Sequence, residues 1–376
     1  GIGQAPSDGL RKGVVVDVAR AISSIKSAVK EAEEMAGIPI KNAVVGISGA
    51  HVHSINSRGV VPLTRGRVRK RDVSDVIAAA RAVPIKDGEQ ILHALPQYFT
   101  VDGDQQLDDP VGMHGVRLET EAHIVIGGVT SVQNLIECCQ AAGLYIDDIV
   151  LEQIASSHTV LSSDERKLGA AILDIGGGTS DLALYRNGSI MHTAVLPVAG
   201  SHFTNDLAIG LRIALQEAER IKKDHGVALS SLLAKDEHIE VKTVNGHQKK
   251  IVLSSELVHI LQPRAEELLE WVNQEILSKE SHISIASGLI ITGGGSLLRG
   301  LDTLAEKICN MPARVGKIRL DEKVNTLSSP IYATGYGLLM YTIHHAKKRM
   351  EKRFSDPLAK RVVSRMKSWI SGLYNR

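Results

Sequence analysis

One glycine-rich segment, Leu173–Asp181, constrains the fold of this chain more than any other feature. It reads Leu-Asp-Ile-Gly-Gly-Gly-Thr-Ser-Asp and lies between two apolar stretches that predict β-strands. Three consecutive glycines let the backbone turn tightly and present its N–H groups to an anion. A carboxylate beside such a turn can hold Mg²⁺ through water, and we assign this role to Asp174. The residues that we assign to phosphate binding are Asp174, Gly176, Gly177, Gly178, Thr179 and Asp181.

A second glycine-rich turn, at 293–295, supports the phosphate interpretation of the first. It follows the apolar stretch 288–292 and precedes a predicted helix, an arrangement that brings a backbone close to a nucleotide. Each turn has an ordinary alternative when it is taken alone, because glycine hairpins and strand–helix turns are common. The two turns together indicate a nucleotide site more specifically than either turn alone. The glycines of the second turn are Gly293, Gly294 and Gly295.

The predicted helix at 203–225 carries a third group of candidate residues. Glu219, Lys222 and Lys223 lie near one helical face. A glutamate there can bond ribose hydroxyls, and a lysine can contact ribose or purine. An ordinary surface helix with ion pairs explains the same residues equally well, so the group gains meaning only from the two glycine turns.

Composition and charge narrow the class of protein. Hydrophobic residues make up 43% of the 376 residues and aromatic residues 3%, so the core is aliphatic, which suits an α/β fold with buried strands. The formal net charge of +2 excludes a polycation that binds nucleic acid through bulk charge. Cys138, Cys139 and Cys309 form neither a disulfide framework nor a zinc pattern, which fits a reducing cytosol.

The hydrophobic pattern predicts an α/β protein with two lobes around a cleft. Short predicted strands with two helices at 51–143 indicate an α+β subdomain inserted in the first lobe. At the start of the chain, residues 1–13 are predicted as a loop and 14–35 as a helix. The predicted organisation is a first lobe at 1–50 and 144–165, the insert at 51–143, a second lobe at 166–345 with an outer subdomain at about 203–283, a linker at 346–357 and a terminal helix at 358–376.

Together these residues resemble the actin/Hsp70/sugar-kinase superfamily, which has a two-lobed, ribonuclease H-like fold. The resemblance implies ATP and Mg²⁺ as cofactors, with Asp174–Asp181 as the second phosphate loop and the second glycine turn beside the adenosine. Ala333–Gly337 looks like the helix that connects the lobes. Glu152 and Gln153 stand where many members place a residue that orients the attacking water, and the match does not choose between them.

The resemblance narrows to the FtsA family of bacterial division actins. Ser48-Gly49 followed by His51 looks like the point where that family's inserted subdomain begins, and 151–157 looks like its return to the core. Membership implies an ATP-binding protein that polymerises and lies on the cytoplasmic face of the inner membrane at the division septum. It implies that the outer subdomain binds the C-terminal peptide of FtsZ, and that the insert serves self-interaction or contacts with later division proteins. It also implies that ATP hydrolysis is slow or negligible.

The beginning of the chain departs from the family pattern. Family members begin with a strand–turn–strand that carries the first phosphate loop, and no segment here matches it. We therefore expect a fragment that starts, at Gly1, within the third strand of the first lobe. The alternative is a protein that lacks half of the phosphate clamp and whose affinity for ATP is reduced.

The C-terminal segment 358–376 has the pattern of an amphipathic helix. It follows Pro357, a residue favoured at helix starts, and contains no acidic residue. An apolar stripe flanked by bases is typical of a helix on an anionic membrane, and docking on the protein's own core is the alternative. The predicted membrane-contacting residues are Leu358, Lys360, Arg361, Val362, Arg365, Met366, Lys367, Trp369, Ile370 and Leu373.

Two other functions are compatible with this fold. A small-molecule kinase needs a catalytic carboxylate between the lobes, which the sequence does not identify, and has no need of a basic terminal helix. An actin-like adaptor of a pilus or secretion machine differs chiefly in its partner.

The basic run 64–71 reads as a solvated loop, because no aromatic side chains interleave for base stacking. The sequence therefore predicts a membrane adaptor that is at most a slow ATPase, with no nucleic-acid partner.

Overall fold

The computed structural model describes residues 1–244, 249–280, 283–318 and 328–355, except for the side chains of 280 and 345–355. The terminal segment 358–376, with every membrane-contacting residue predicted for it, lies outside these ranges. Among the helices within these ranges, none is both long enough and apolar enough to cross a bilayer. The helices are α1 (Val18–Ala36), α2 (Lys70–Arg81), α3 (Val129–Ala141), α4 (Glu152–Val160), α5 (Ser163–Leu168), α6 (Gly200–Leu211), α7 (Leu215–His225), α8 (Ser254–Glu280), α9 (Leu301–Cys309) and α10 (Ala333–Ser355).

The strands are β1 (Leu10–Arg11), β2 (Val14–Val15), β3 (Asn42–Ile47), β4 (Val52–Pro62), β5 (Glu89–Val101), β6 (Arg117–Gly128), β7 (Tyr145–Leu151), β8 (Ala170–Ile175), β9 (Ser180–Arg186), β10 (Ser189–Leu196), β11 (His238–Lys242), β12 (Lys249–Leu253), β13 (Leu289–Thr292) and β14 (Ala313–Val315). Within the described ranges they form five separate sheets, and the largest lies in the second lobe. Its order is β10-β9-β8-β13-β14, with β8 parallel to β13 and antiparallel to β9.

Both faces of the central sheet are buried. Ala171, Leu173 and Ile175 of β8 join the core that α6 to α9 cover, whereas Ala170 and Ile172 pack in the cluster that includes α4. A strand covered on both faces is apolar throughout rather than alternating, which explains the sequence of β8. The residues that follow this strand are consequently held at a rigid sheet edge.

The first lobe pairs β3 with β7 in parallel and packs α10 on α4 and β3. A side chain at Gly337 would overlap the carbonyl oxygen of Ala155, so the small residues of α10 permit this close approach. This helix, part of the segment predicted to belong to the second lobe, packs against first-lobe elements. It extends to Ser355, into the segment 346–357 that was predicted as a linker.

A β-hairpin occupies part of the opening segment that was predicted as a loop and a helix start. β1 pairs with β2 through a turn in which Lys12 (φ 50°) and Gly13 (φ 75°) are left-handed. The helix α1 begins only at Val18, where the Asp17 side chain accepts a hydrogen bond from the Arg20 N–H at 3.1 Å. Val14 and Val15 therefore belong to β2, and Val16 lies in the bend that precedes the helix.

The predicted helix at 203–225 is two helices in the structure. Arg212 adopts a left-handed conformation (φ 52°) after α6, and α7 starts at Leu215. The sequence prediction also missed β10, which pairs with β9 through a turn at Asn187 and Gly188. Both turns use positive φ angles, which change the chain direction without interrupting the hydrophobic periodicity on which the prediction rested.

The inserted subdomain is an antiparallel sheet of order β4-β6-β5 with α2 on one face. Its other face meets the edge strand β10. Ser54 Oγ donates to the Thr193 carbonyl at 3.0 Å, and Gln97 Nε2 donates to the Ile190 carbonyl at 3.2 Å. Side chains of the insert thus satisfy carbonyls of a sheet edge that would otherwise lack partners, and the insert contacts both lobes.

Candidate functional site

The glycine loop between β8 and β9 is held from one side by α6. The Gly200 N–H donates to the Gly176 carbonyl at 2.9 Å, and the Ser201 N–H donates to the Gly177 carbonyl at 2.8 Å. Within the loop, the Gly176 N–H donates to the Thr179 carbonyl at 3.0 Å. A Cβ built on Gly177 has no described atom within 4 Å. The loop is therefore fixed by its carbonyls and leaves room at its tip for a ligand.

Two buried aspartates flank this loop and carry hydroxyl partners. Asp181 is 2% exposed and accepts hydrogen bonds from Ser48 Oγ at 2.5 Å and Thr179 Oγ1 at 3.2 Å. Asp174 accepts from Thr334 Oγ1 at 2.8 Å. Burial raises the pKa of both carboxyls, and the hydroxyl bonds oppose that shift. No base neutralises either aspartate among the described residues, so the pair is electrostatically suited to a cation.

Glu152 is a third carboxylate of the same cluster. Burial, and then the negative charge of Asp174, raise its pKa to about 7. Glu152 in turn contributes to the raised pKa of Asp181. Gln153 is instead fully buried, and neither atom of its amide has a hydrogen-bond partner in the described part of the chain. Of the two residues left open by the sequence, the structure places Glu152 beside the aspartates.

We expect Glu152→Gln to stabilise the ligand-free protein at alkaline pH. A folded-state pKa raised from 4.5 to about 7 means that stability falls as the pH rises through this interval. Removing the charge should raise the free energy of unfolding at pH 8 by roughly 1 to 3 kcal/mol and change it little near pH 4.5. Urea unfolding at both pH values measures the effect, with the exposed Glu270→Gln as control. Equal stability of parent and variant at pH 8 would contradict the raised pKa.

The second glycine turn lies directly against the first loop. β13 is parallel to β8, with Thr292 opposite Asp174, so both turns leave the same sheet edge. Gly293 has a φ of 79°, and a Cβ there would overlap Asp174 Oδ1 and approach the Ile175 carbonyl to 2.6 Å. Only glycine fits this contact without displacement. The structure therefore brings together the two turns that the sequence placed far apart.

One lysine of the α7 helix face contacts the start of α6, the helix that holds the first loop. Lys222 Nζ donates to the Gly200 carbonyl at 3.0 Å and to Thr204 Oγ1 at 2.9 Å, and pairs with Glu219 at 2.7 Å. Lys223 pairs with the other oxygen of Glu219 at 3.2 Å and is more exposed. Burial alone would raise the pKa of Glu219, but the hydrogen bonds from Lys222 and Thr204 outweigh burial, and the pKa is lowered. Glu219 therefore stays ionised between α6 and α7.

Sequence reasoning missed three parts of the site. Ser48 was recognised only as the start of the insert, and Thr334 only as part of the connecting helix, yet their hydroxyls contact the two aspartates. The turn of the β1–β2 hairpin is the third part. It lies against the first loop, because a Cβ built on Gly178 would be 3.1 Å from the backbone nitrogen of Lys12. For Ser48, a signal was present, since it follows β3 at the carboxyl end of a parallel strand.

The arrangement is suited to an anion with an associated divalent cation. Glycine turns offer backbone N–H groups to phosphate, Lys222 adds a positive charge, and the carboxylates can hold a hydrated cation. The described residues include no group of three or more His, Cys, Asp or Glu side chains placed to bind a metal directly.

Comparison with known proteins identifies the family. A profile described as "Cell division protein FtsA" matches residues 171–337, and one described as "SHS2 domain inserted in FTSA" matches 49–126. The cell division protein FtsA of Pseudomonas aeruginosa is 40% identical over 380 residues, covering 99% of this chain and 91% of that protein. The Escherichia coli FtsA is 33% identical, with 99% and 90% covered, and the Bacillus subtilis FtsA is 35% identical, with 92% and 78% covered.

Solved structures with a similar fold include a "PilM-PilN type IV pilus biogenesis complex" and MreB5 of Spiroplasma citri bound to ADP. The first has a TM-score of 0.64 and 18% identity, covering 89% of this chain and 88% of that one. The second has a TM-score of 0.55 and 17% identity, covering 91% and 80%. At this identity the similarity concerns the fold alone. The fold and the two facing glycine turns define an actin-like protein of two lobes. The chain belongs to the FtsA family of cell division proteins.

Proposed function

We propose that this actin-like division protein binds ATP and anchors the FtsZ ring to the cytoplasmic face of the inner membrane, where it helps to recruit later division proteins. The observation that carries the proposal is the meeting of the two glycine turns over Asp174, in a chain 40% identical to a named FtsA. An adaptor of this kind needs a nucleotide site, a partner surface and a membrane contact, and each has candidate residues here.

The nucleotide would be held between the lobes. The first loop, with Gly176, Gly177, Gly178 and Thr179, would bind phosphate oxygens, and Lys222 would add charge next to them. Glu219, Lys223 and the second glycine turn would face the nucleoside. Bound Mg²⁺ would supply charge neutralisation to the phosphates, with Asp174 reaching it through water. The similarity of fold to an ADP-bound MreB5 supports this assignment.

Hydrolysis would be slow. Of the two candidate residues to orient the water, the Gln153 amide cannot act as a base, and Glu152 is poorly suited to do so. Its raised pKa leaves it partly protonated near neutral pH, where a general base must be ionised. ATP would then act chiefly as a ligand that favours one arrangement of the two lobes and so controls self-association into filaments. Turnover that depends on a small-molecule substrate would instead favour the kinase alternative.

The outer subdomain is the candidate surface for the FtsZ C-terminal peptide. It exposes large apolar side chains, with Ile209 on α6 at 77%, Ile251 on β12 at 66% and Leu215 at the start of α7 at 57%. These exposed side chains are the candidates for contact with an apolar face of the peptide. The pilus adaptor alternative has support from fold similarity only, whereas the division function has support from sequence identity over nearly the whole chain.

Flotation with anionic vesicles tests the membrane contact. We expect this chain to float with phosphatidylglycerol vesicles and a chain ending at Asp356 to lose about a hundredfold in binding, because the predicted apolar stripe and bases lie beyond that residue. High salt should weaken binding of the intact chain. FtsZ added to the same vesicles should float only with the intact chain.

Matched substitutions refine this test. Trp369→Gln with Ile370→Gln changes the predicted apolar stripe, whereas Ser364→Gln with Ser371→Gln changes the predicted opposite face without altering charge. Only the first pair should reduce flotation. Equal flotation of intact and shortened chains would refute the terminal helix as the anchor.

A further inference from the structure

A cluster of exposed bases on the inserted subdomain has no role in the function proposed above. We call it the basic tip, and it consists of Arg65, Arg67, Arg69, Lys70 and Arg71. All five residues are exposed, and no acidic residue occurs in 57–71. Within the described residues, Arg71 alone of the five forms an ion pair, with Asp75 at 3.6 Å. The other four positive charges thus have no acidic partner in the part of the chain that the structure describes.

The basic tip lies at the end of the sheet opposite its attachment to the first lobe. β4 runs without a register shift along β6 from Val52 to Pro62, and the next residues continue the pairing. The Val68 N–H donates to the Met113 carbonyl at 2.9 Å, which places segment 111–116 beside the bases. That segment exposes apolar side chains, with Met113 at 47% and Val116 at 72%. Bases and aliphatic groups therefore share one surface.

Three of the bases occupy an unfavourable position in α2. Arg69, Lys70 and Arg71 are the N-cap and first residues of the helix, where the helix dipole favours anions. Asp72 is the one acidic residue of this first turn, and it accepts a hydrogen bond from the Arg69 N–H at 2.8 Å. A local sequence that disagrees with its own secondary structure is expected where a surface serves a partner.

Several carboxylates lie near the tip, and each is engaged locally. Asp72 accepts from the Arg69 N–H and Asp75 pairs with Arg71, whereas Asp102 accepts hydrogen bonds from the Val116 N–H at 3.0 Å and the Arg117 N–H at 2.8 Å. Asp109 accepts from the Val111 N–H at 3.0 Å. Among the described residues, none of these carboxylates forms an ion pair with Arg65, Arg67, Arg69 or Lys70.

We propose that the basic tip is a second membrane contact, which binds anionic lipid headgroups while Met113 and Val116 enter the interface. Binding to a membrane interface combines the attraction of bases to anionic lipids with the burial of apolar side chains, and this surface offers both groups. The proposal rests on the proposed function, because the terminal helix holds the chain at the bilayer, where a weak second contact gains from high effective concentration. Nucleic acid is a poorer occupant, since no aromatic side chain lies in 63–71 for base stacking.

The test compares two variants of equal charge in vesicle sedimentation. Arg65→Gln/Arg69→Gln/Lys70→Gln neutralises the tip, and Lys26→Gln/Lys235→Gln/Lys307→Gln removes three exposed charges from other elements. On vesicles of phosphatidylglycerol and phosphatidylcholine in equal parts, the tip variant should bind about tenfold more weakly than the parent. The control variant should bind like the parent. On phosphatidylcholine alone, the two variants should not differ.

A chain ending at Asp356 separates this proposal from the proposed function. If the terminal helix is not an anchor, its removal changes nothing, whereas neutralising the tip still weakens binding to anionic vesicles. Equal binding of tip and control variants, with matching thermal unfolding, would overturn the proposal. So would a tip variant that binds vesicles like the parent but loses self-association or binding to polyglutamate, because the occupant would then be a second copy or an acidic peptide.

Discussion

Gly293→Ala is expected to reduce the affinity for ATP by about a hundredfold, or roughly 2.7 kcal/mol. The new Cβ would overlap Asp174 Oδ1 and approach the Ile175 carbonyl to 2.6 Å, and the φ of 79° is strained for alanine. The two turns must then separate, which moves the Asp174 carboxylate and the first loop together. Equilibrium titration with a fluorescent ATP analogue measures the loss.

Gly188→Ala provides a control of matched backbone conformation. Its φ is 81°, yet a Cβ there meets no described atom within 4 Å, so it carries only the conformational cost of about 1 kcal/mol. Gly177→Ala separates affinity from stability, because its Cβ also meets no described atom but would occupy the tip of the first loop. We expect weak binding with unchanged thermal unfolding for this variant. Normal affinity in both Gly293→Ala and Gly177→Ala would remove the glycine turns from the nucleotide site.

His123→Gln is expected to remove much of the decrease in the free energy of unfolding that accompanies a fall in pH. His123 is 1% exposed and contacts Asn56 Oδ1 at 2.7 Å and Thr193 Oγ1 at 2.9 Å, where the insert meets β10. Burial, and then the charges of His192 and His93, lower its pKa to about 3. In the unfolded chain the His123 imidazole binds a proton near pH 6.5, whereas in the folded chain it stays neutral at that pH. Stability present above pH 6.5 is therefore lost as the pH falls, by about 1.4 kcal/mol per unit.

Urea unfolding between pH 7.5 and 4.5 measures this dependence. The parent should lose roughly 3 kcal/mol from this residue over the interval. The variant should be less stable than the parent at pH 7.5, by about 1 kcal/mol for altered hydrogen bonds, and more stable at pH 4.5. The exposed His259→Gln should retain the slope of the parent. A slope in His123→Gln that equals the parent's would show that His123 titrates normally in the folded protein.

These two residues act on different parts of the same framework. Gly293 joins two turns within the second lobe, whereas His123 joins the insert of the first lobe to the edge strand of the second. A change in the arrangement of the lobes would therefore alter the contact between His123 and Thr193.

The two-lobed α/β fold was predictable because its signals are local. A buried strand followed by glycines, as at Asp174 and again at Gly293, is visible in the sequence alone, and the structure confirms the actin-like fold. Some element boundaries were not predictable. The breaks at Lys12 and Arg212 depend on positive φ angles in residues other than glycine, which hydrophobic periodicity does not reveal.

The residues predicted to bind phosphate, and their order along the chain, can be read from the sequence. The hydroxyl partners of the aspartates appear only in the folded protein, because Ser48 and Thr334 are distant in sequence and meet Asp181 and Asp174 when the two lobes pack. The fold also places the Glu152 carboxylate within electrostatic reach of Asp174. Burial then raised the pKa of Glu152, a property that belongs to the packed core and to no residue taken alone.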